Sequence, residues 1–172
     1  MVQEFLNAAA DVQALMEEIN GEFYLRMHPH TWRNYSGKIS KVLDQYDRLR
    51  VDGEKDVYPA LGSFSILISD YSSIALDFAL LDRPVIFHTA DYDWFIENEA
   101  GFNVDFPNVI PGPMTRNWKD TLKEIKTYYD NPKKDSDLRM EKLTYFFDRT
   151  VNGADNSERI VGEIKRRIGL ER

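Results

Sequence analysis

The chain has 172 residues, 42% of them hydrophobic and 30% charged, enough for one domain with a sizeable core. It has no cysteine, which excludes disulfides, thiolate metal sites and cysteine nucleophiles. A formal net charge of −7 argues against nucleic acid as the main partner and against autonomous docking on anionic lipid. No apolar run reaches bilayer-spanning length and the N-terminus does not read as a signal peptide, so a cytoplasmic location is expected, with at most peripheral contact at the inner membrane face.

Phe5, Ala8, Val12, Leu15, Met16 and Ile19 recur at helical spacing and predict an amphipathic helix over 3–19, which Asn20-Gly21 ends. In 22–27, Phe23, Leu25 and Met27 alternate with Tyr24 and Arg26, which is strand spacing. Arg26 and His28 then share one side at the strand's end, where Pro29 keeps His28 extended and stops the strand. A short helix at 38–46, a strand at 49–51 and a helical turn at 57–61 follow. The stretch Leu67-Ile68-Ser69-Asp70-Tyr71-Ser72-Ser73 reads as a buried strand, taken as 65–69, that turns directly into a buried helix over 72–81. Asp82-Arg83-Pro84 makes a turn and 85–88 a strand. Helix is expected over 91–98, loop over 101–113, and helices near 115–130, 134–148 and 155–168. Lys165-Arg166-Arg167 reads as a solvated helix face.

Helices alternating with short apolar strands predict an α/β fold with a Rossmann-like parallel sheet and flanking helices, in one domain spanning 1–172. A doubly wound domain normally opens on a strand, whereas this chain opens on a helix, so a first strand is expected to come from elsewhere.

A strand that feeds a helix N-terminus through Ser72 and Ser73 is a ready anion site, although serines at helix starts are usually only N-caps. Ligands of open α/β sheets bind beyond the carboxyl ends of the strands. Arg26 and His28 at one strand end and Ser72 and Ser73 at another therefore make a cradle for a diphosphate. Arg26 either clamps phosphate or pairs with Asp70 or Asp77. Asp70 either orients a histidine or caps the helix, and Asp77, read as buried, needs a partner such as Arg26, Arg83 or backbone N–H groups. His30 reads as exposed, His88 as a strand-end histidine, Tyr71 as packing and Gly112 as a turn glycine.

The segment RMHPH, then ILISDYSSIALDFALLDRPVIFHTADYDWF, then GFNVDF with PGP closely resembles the CDP-glycerol glycerophosphotransferase family, which builds teichoic acid and related capsule polymers. The resemblance is strong over 20–115 and weaker at the end, where Gly153, Ser157 and Arg159 match a Gly followed by Ser-x-Arg. It implies the C-terminal, donor-binding half of a GT-B enzyme, without the acceptor half and without the segment that supplies the donor half's first strand. It further implies a CDP-activated polyol as donor, with no cofactor and no metal, a polymer acceptor, and a possible N-terminal half or partner chain. His28 matches the family's histidine, with a catalytic role at the diphosphate, while Arg26, Asp70, Ser72 and Ser73 fall at substrate-binding positions. The Asp91-Tyr92-Asp93 triplet imitates a metal-binding DxD motif, and the GT-B resemblance makes that a coincidence. The loop from Val51 to Tyr58 lies where cytidine would be expected. Two alternatives stand beside this reading. One is a CMP-sugar transferase, since sialyltransferase-like enzymes also carry His-Pro and serine motifs, and the other is a non-catalytic half-enzyme that acts as an interaction subunit.

Overall fold

The computed structural model describes residues 2–53, 56–99, 101–147 and 156–169. Helix α1 (Val2–Glu18) buries Phe5, Ala8, Val12 and Met16 of the stripe read from the sequence, with Ala9 beside them, while Leu15 and Ile19 are half-buried. Asn20 ends it in the left-handed region at φ 49°, and the Gly21 N–H closes back onto the Met16 carbonyl at 2.8 Å. Strand β1 (Phe23–Leu25) pairs in parallel with β2 (Leu49–Val51).

Between them runs α2 (Pro29–Leu43), which is longer than the helix expected at 38–46. The His-Pro pair opens that helix. Pro29 occupies its first turn, where a missing N–H costs nothing, and the His28 ring accepts from the His30 N–H at 3.2 Å as the N-cap.

A short α3 (Tyr58–Leu61) leads to β3 (Leu67–Ser69), α4 (Ile74–Ala79) and β4 (Val85–His88). Then come α5 (Tyr92–Asn98), α6 (Phe106–Val109), β5 (Met114–Thr115) and α7 (Trp118–Asp130). The chain continues into α8 (Ser136–Leu143) and α9 (Asn156–Arg167). The stretch 101–113 is therefore not all loop. Helix α4 is buried at Ala75, Phe78 and Ala79, while Leu80 and Leu81 beyond it are exposed. On α9, Ile160, Val161 and Ile164 are exposed, and Glu163 pairs with Arg166 and Arg167, in keeping with a solvated basic face. Gly153 lies outside the described residues, and Ser157 and Arg159 sit on α9.

Among the described residues all strand pairs are parallel, in two sheets of order β1-β2 and β3-β4-β5. Alternation along the strands builds one core on each face. Ile86, Ile66, Ile68, Phe23 and Leu25 pack with α1, α2 and α7, whereas Val85, Phe87 and Leu67 pack with α3, α4, α6 and α8. Each core lies between the strands and one helix layer, the three-layer form of α/β folds. Gly112 lies in a bend, as expected, and packs closely as well, because a Cβ there would stand 2.0 Å from the Val85 carbonyl oxygen. On the α8 side, Asp82 turns the chain at φ 53° and its carboxylate takes the Arg139 guanidinium at 3.0 Å and the Lys133 ammonium at 2.6 Å.

Candidate functional site

Open parallel sheets present ligands to the carboxyl ends of their strands, and the polar residues of interest gather there. Arg26 follows β1 and donates to Asp52, which follows β2, at 2.7 Å. This Arg26–Asp52 pair replaces the expected pairing of Arg26 with Asp70 or Asp77. The Asp52 side chain is nearly buried while Arg26 is about one third exposed, so the carboxylate fixes a guanidinium that still reaches solvent. His28 is exposed at the start of α2, with φ −56° and ψ 139°, the extended form that a following proline favours. His30 is exposed in the first turn, as expected.

The end of β3 is built by a tight local turn. Asp70 is half-buried and its Oδ1 accepts from the Ser72 N–H at 3.0 Å, a turn bond ahead of α4 rather than a cap on the helix itself. Ser72 and Ser73 are exposed, and Ser73 is the N-cap of α4 without using its hydroxyl to cap the helix. Two exposed hydroxyls thus stand at the start of α4, whose first turn is itself partly to fully buried. Asp77 departs from expectation. It is half-exposed and accepts from the Tyr58 hydroxyl at 2.8 Å, which ties α3 to the first turn of α4. That bond, with the nearby carboxylate, raises the Tyr58 hydroxyl above its ordinary pKa.

Tyr71 packs as anticipated, stacking on Phe95 with ring centres 4.1 Å apart and meeting Phe102 and Phe106. Its hydroxyl donates to Asp91 at 2.9 Å, so Asp91 braces the loop after β4. Burial, reinforced by that bond, raises the Tyr71 pKa. His88 ends β4 and is buried, with Nδ1 2.9 Å from the Thr121 hydroxyl and its ring against Trp118. Burial pushes its pKa below the ordinary histidine value.

The structure therefore brings Arg26 to Asp52 and Asp70 to Ser72. No hydrogen bond or ion pair among the described residues links the Arg26–His28 group to the Ser72–Ser73 group. Sequence reasoning put the loop from Val51 to Tyr58 near the ligand but did not single out Asp52 and Tyr58 within it. Asp52 directly follows a correctly placed strand, so the carboxyl-end rule would have found it, whereas Tyr58 carried no signal without the fold.

A family profile described as CDP-Glycerol:Poly(glycerophosphate) glycerophosphotransferase matches residues 1–166. The chain belongs to this family. A teichoic acid poly(glycerol phosphate) polymerase of Bacillus spizizenii is 30% identical over 163 residues, covering 92% of this chain and 39% of the relative. A teichoic acid poly(ribitol-phosphate) polymerase of the same organism is also 30% identical, over 90% of this chain and 24% of its own length. Among solved structures, a wall teichoic acid polymerase, TagF, studied with CDPG matches with TM-score 0.64 at 28% identity. That match covers 94% of this chain and 40% of the TagF chain. The chain thus spans about a quarter to two fifths of these relatives' length, and its α/β fold is that of part of a GT-B teichoic acid polymerase. These matches favour the glycerophosphotransferase reading over a CMP-sugar transferase. No helix among the described residues is long and apolar enough to cross a membrane.

Proposed function

We propose that this chain is the donor-binding part of a CDP-polyol phosphotransferase, holding the diphosphate of CDP-glycerol or a related CDP-alditol. The observation that carries the reading is the open rim of the strands. Exposed Ser72 and Ser73 stand before a helix first turn that no side-chain cap covers, and Arg26 is held at the end of β1 by a nearly buried carboxylate. Helix N–H groups, hydroxyls and a guanidinium are the donors that a diphosphate accepts from. Family membership and the polymerase relatives support the same donor class.

In the complete reaction an acceptor hydroxyl attacks the β-phosphorus, the bond to the bridging oxygen breaks, and CMP leaves with that oxygen. Arg26, Ser72 and Ser73 would position the diphosphate. His28 would donate to the phosphate oxygens as charge builds on the leaving group. The acceptor polymer is a separate substrate, and the group that takes the hydroxyl proton would come from the acceptor-binding half of the family's enzymes.

Calorimetric titration of the chain with CDP tests the reading. Each charge-assisted hydrogen bond is worth about 1.5–3 kcal/mol, so Arg26→Ala or Ser72→Ala should weaken CDP binding by roughly tenfold or more. Undiminished CDP binding by His28→Ala and Ser72→Ala together would sink the assignment.

A further inference from the structure

Helix α2 carries a cationic line along its outer face. At roughly 100° of turn per residue, His30, Asn34, Gly37 and Lys41 fall one above another, with Arg33 on one flank and Lys38 on the other. All six are exposed. The line is about 16 Å long by the helix rise, and it begins beside His28, the N-cap of α2. Helix α2 contains no acidic residue, and Asp44 stands only at its far end. Among the described residues, Arg33, Lys38 and Lys41 have no carboxylate at ion-pair distance. Lys38 donates instead to the Gln3 side chain. Elsewhere Lys126, Lys133, Lys134, Arg139, Arg166 and Arg167 each hold a carboxylate. On a chain of net charge −7, this line is a local reversal of the surface potential.

A merely solvated helix face has no use for a glycine. Gly37 costs α2 stability relative to alanine, and a Cβ there would meet nothing within 4 Å, so no packing within the described structure requires it. What glycine does supply at mid-helix is close access to the backbone for a ligand. The composition of the line also selects among polyanions. None of its six residues is Phe, Tyr or Trp, the platforms on which single-stranded nucleic acid stacks. A slender phosphodiester chain without bases needs only charge and hydrogen-bond donors, which Arg33, Lys38, Lys41, His30 and Asn34 carry.

We propose that this face of α2 is a track for a polyol-phosphate chain, the length of polymer behind the reacting acceptor end. The inference rests on the donor reading above, which puts the reacting phosphate beside His28, where the line begins. Phosphates further back along the chain pair with Arg33, Lys38 and Lys41, and Gly37 lets the chain lie against the helix.

Fluorescence anisotropy of a labelled glycerol phosphate hexamer, titrated with the full chain, tests the track. The triple variant Arg33→Gln, Lys38→Gln, Lys41→Gln should bind the hexamer about tenfold or more weakly. A matched triple variant, Lys119→Gln, Lys123→Gln, Lys165→Gln, loses the same charge from exposed positions on α7 and α9 and should change binding less than about twofold. Gly37→Leu keeps every charge and should weaken binding about threefold or more by filling the close approach. The proposal is overturned if the parent does not bind the hexamer, if the α2 triple variant or Gly37→Leu binds it like the parent, or if the matched variant loses as much. It is also overturned if a single-stranded oligonucleotide of equal charge binds as tightly as the hexamer. CDP titrated into the same proteins reads the donor site separately. Unchanged CDP affinity in the α2 triple variant is expected, and a joint loss of CDP and hexamer would mean general damage and end the proposal. A parent that binds the hexamer through α2 but not CDP keeps the track and sinks the donor reading alone.

Discussion

Replacing Asp82 by asparagine should destabilise the fold far more than replacing its partner Arg139 by methionine. Arg139 lies on α8 with its side chain 1% exposed, and Nη2 reaches Asp82 Oδ1 at 3.0 Å. Its Nε and Nη1 are buried with no partner among the described residues, so the Asp82 carboxylate is what compensates this cation. The carboxylate itself is better served. The Lys133 ammonium, the Ser136 hydroxyl and Arg139 hold its pKa down to about 2 against the opposing effect of burial. Asp82→Asn keeps a residue that tolerates φ 53° and keeps an acceptor, but leaves the guanidinium buried without a counter-charge. Breaking a buried pair this way costs about 3–5 kcal/mol, and the partial solvation of Asp82 places the loss near 3. For a chain of this size that is a Tm drop of about 6–12 °C. Arg139→Met removes the buried charge and both orphaned N–H groups at similar volume, and Asp82 keeps Lys133 and Ser136. Its loss should stay within about 1 kcal/mol. The double variant should resemble Arg139→Met alone, a coupling of about 2–3 kcal/mol in a denaturant-melt cycle. The reasoning is refuted if Asp82→Asn melts like the parent while Arg139→Met collapses. Because the folded pKa of Asp82 is depressed, its stabilisation is full above about pH 4 and fades as pH falls toward 2. The parent's acid slope in that window should exceed that of Asp82→Asn.

Gly112→Ala should cost about 1–3 kcal/mol or more by driving a methyl into the Val85 carbonyl. Gly37→Ala on α2, where a methyl meets nothing within 4 Å, should instead raise stability by about 0.5–1 kcal/mol, and paired thermal melts check both signs. His88 is pushed below its ordinary pKa by burial, so the unfolded chain binds its proton more readily. Stability from this group is complete above about pH 6.5 and falls as the solution is acidified. His88→Gln should flatten the Tm profile between about pH 6.5 and 5, and an unchanged slope would count against a buried neutral imidazole.

Much of the fold was legible because its signals are local. The stripe of α1 and the fully apolar strand Val85–Phe87 announce themselves by period and composition. The helix over 29–43 was recognised only in its second half, since Trp32, Tyr35 and Gly37 blur the apolar period. Proline one residue after a potential cap was the missed signal. Strand β5 has two residues and exists only because Phe87 and His88 lie alongside. The packing demand on Gly112 was hidden for the same reason, its need for no side chain being set by Val85, a residue 27 positions away. At the candidate site, the placement of Arg26, His28, Ser72 and Ser73 at strand ends followed from alternation and the carboxyl-end rule. Their partners did not, because Asp52 and Tyr58 meet Arg26 and Asp77 only through the crossovers that bring those strands and helices side by side.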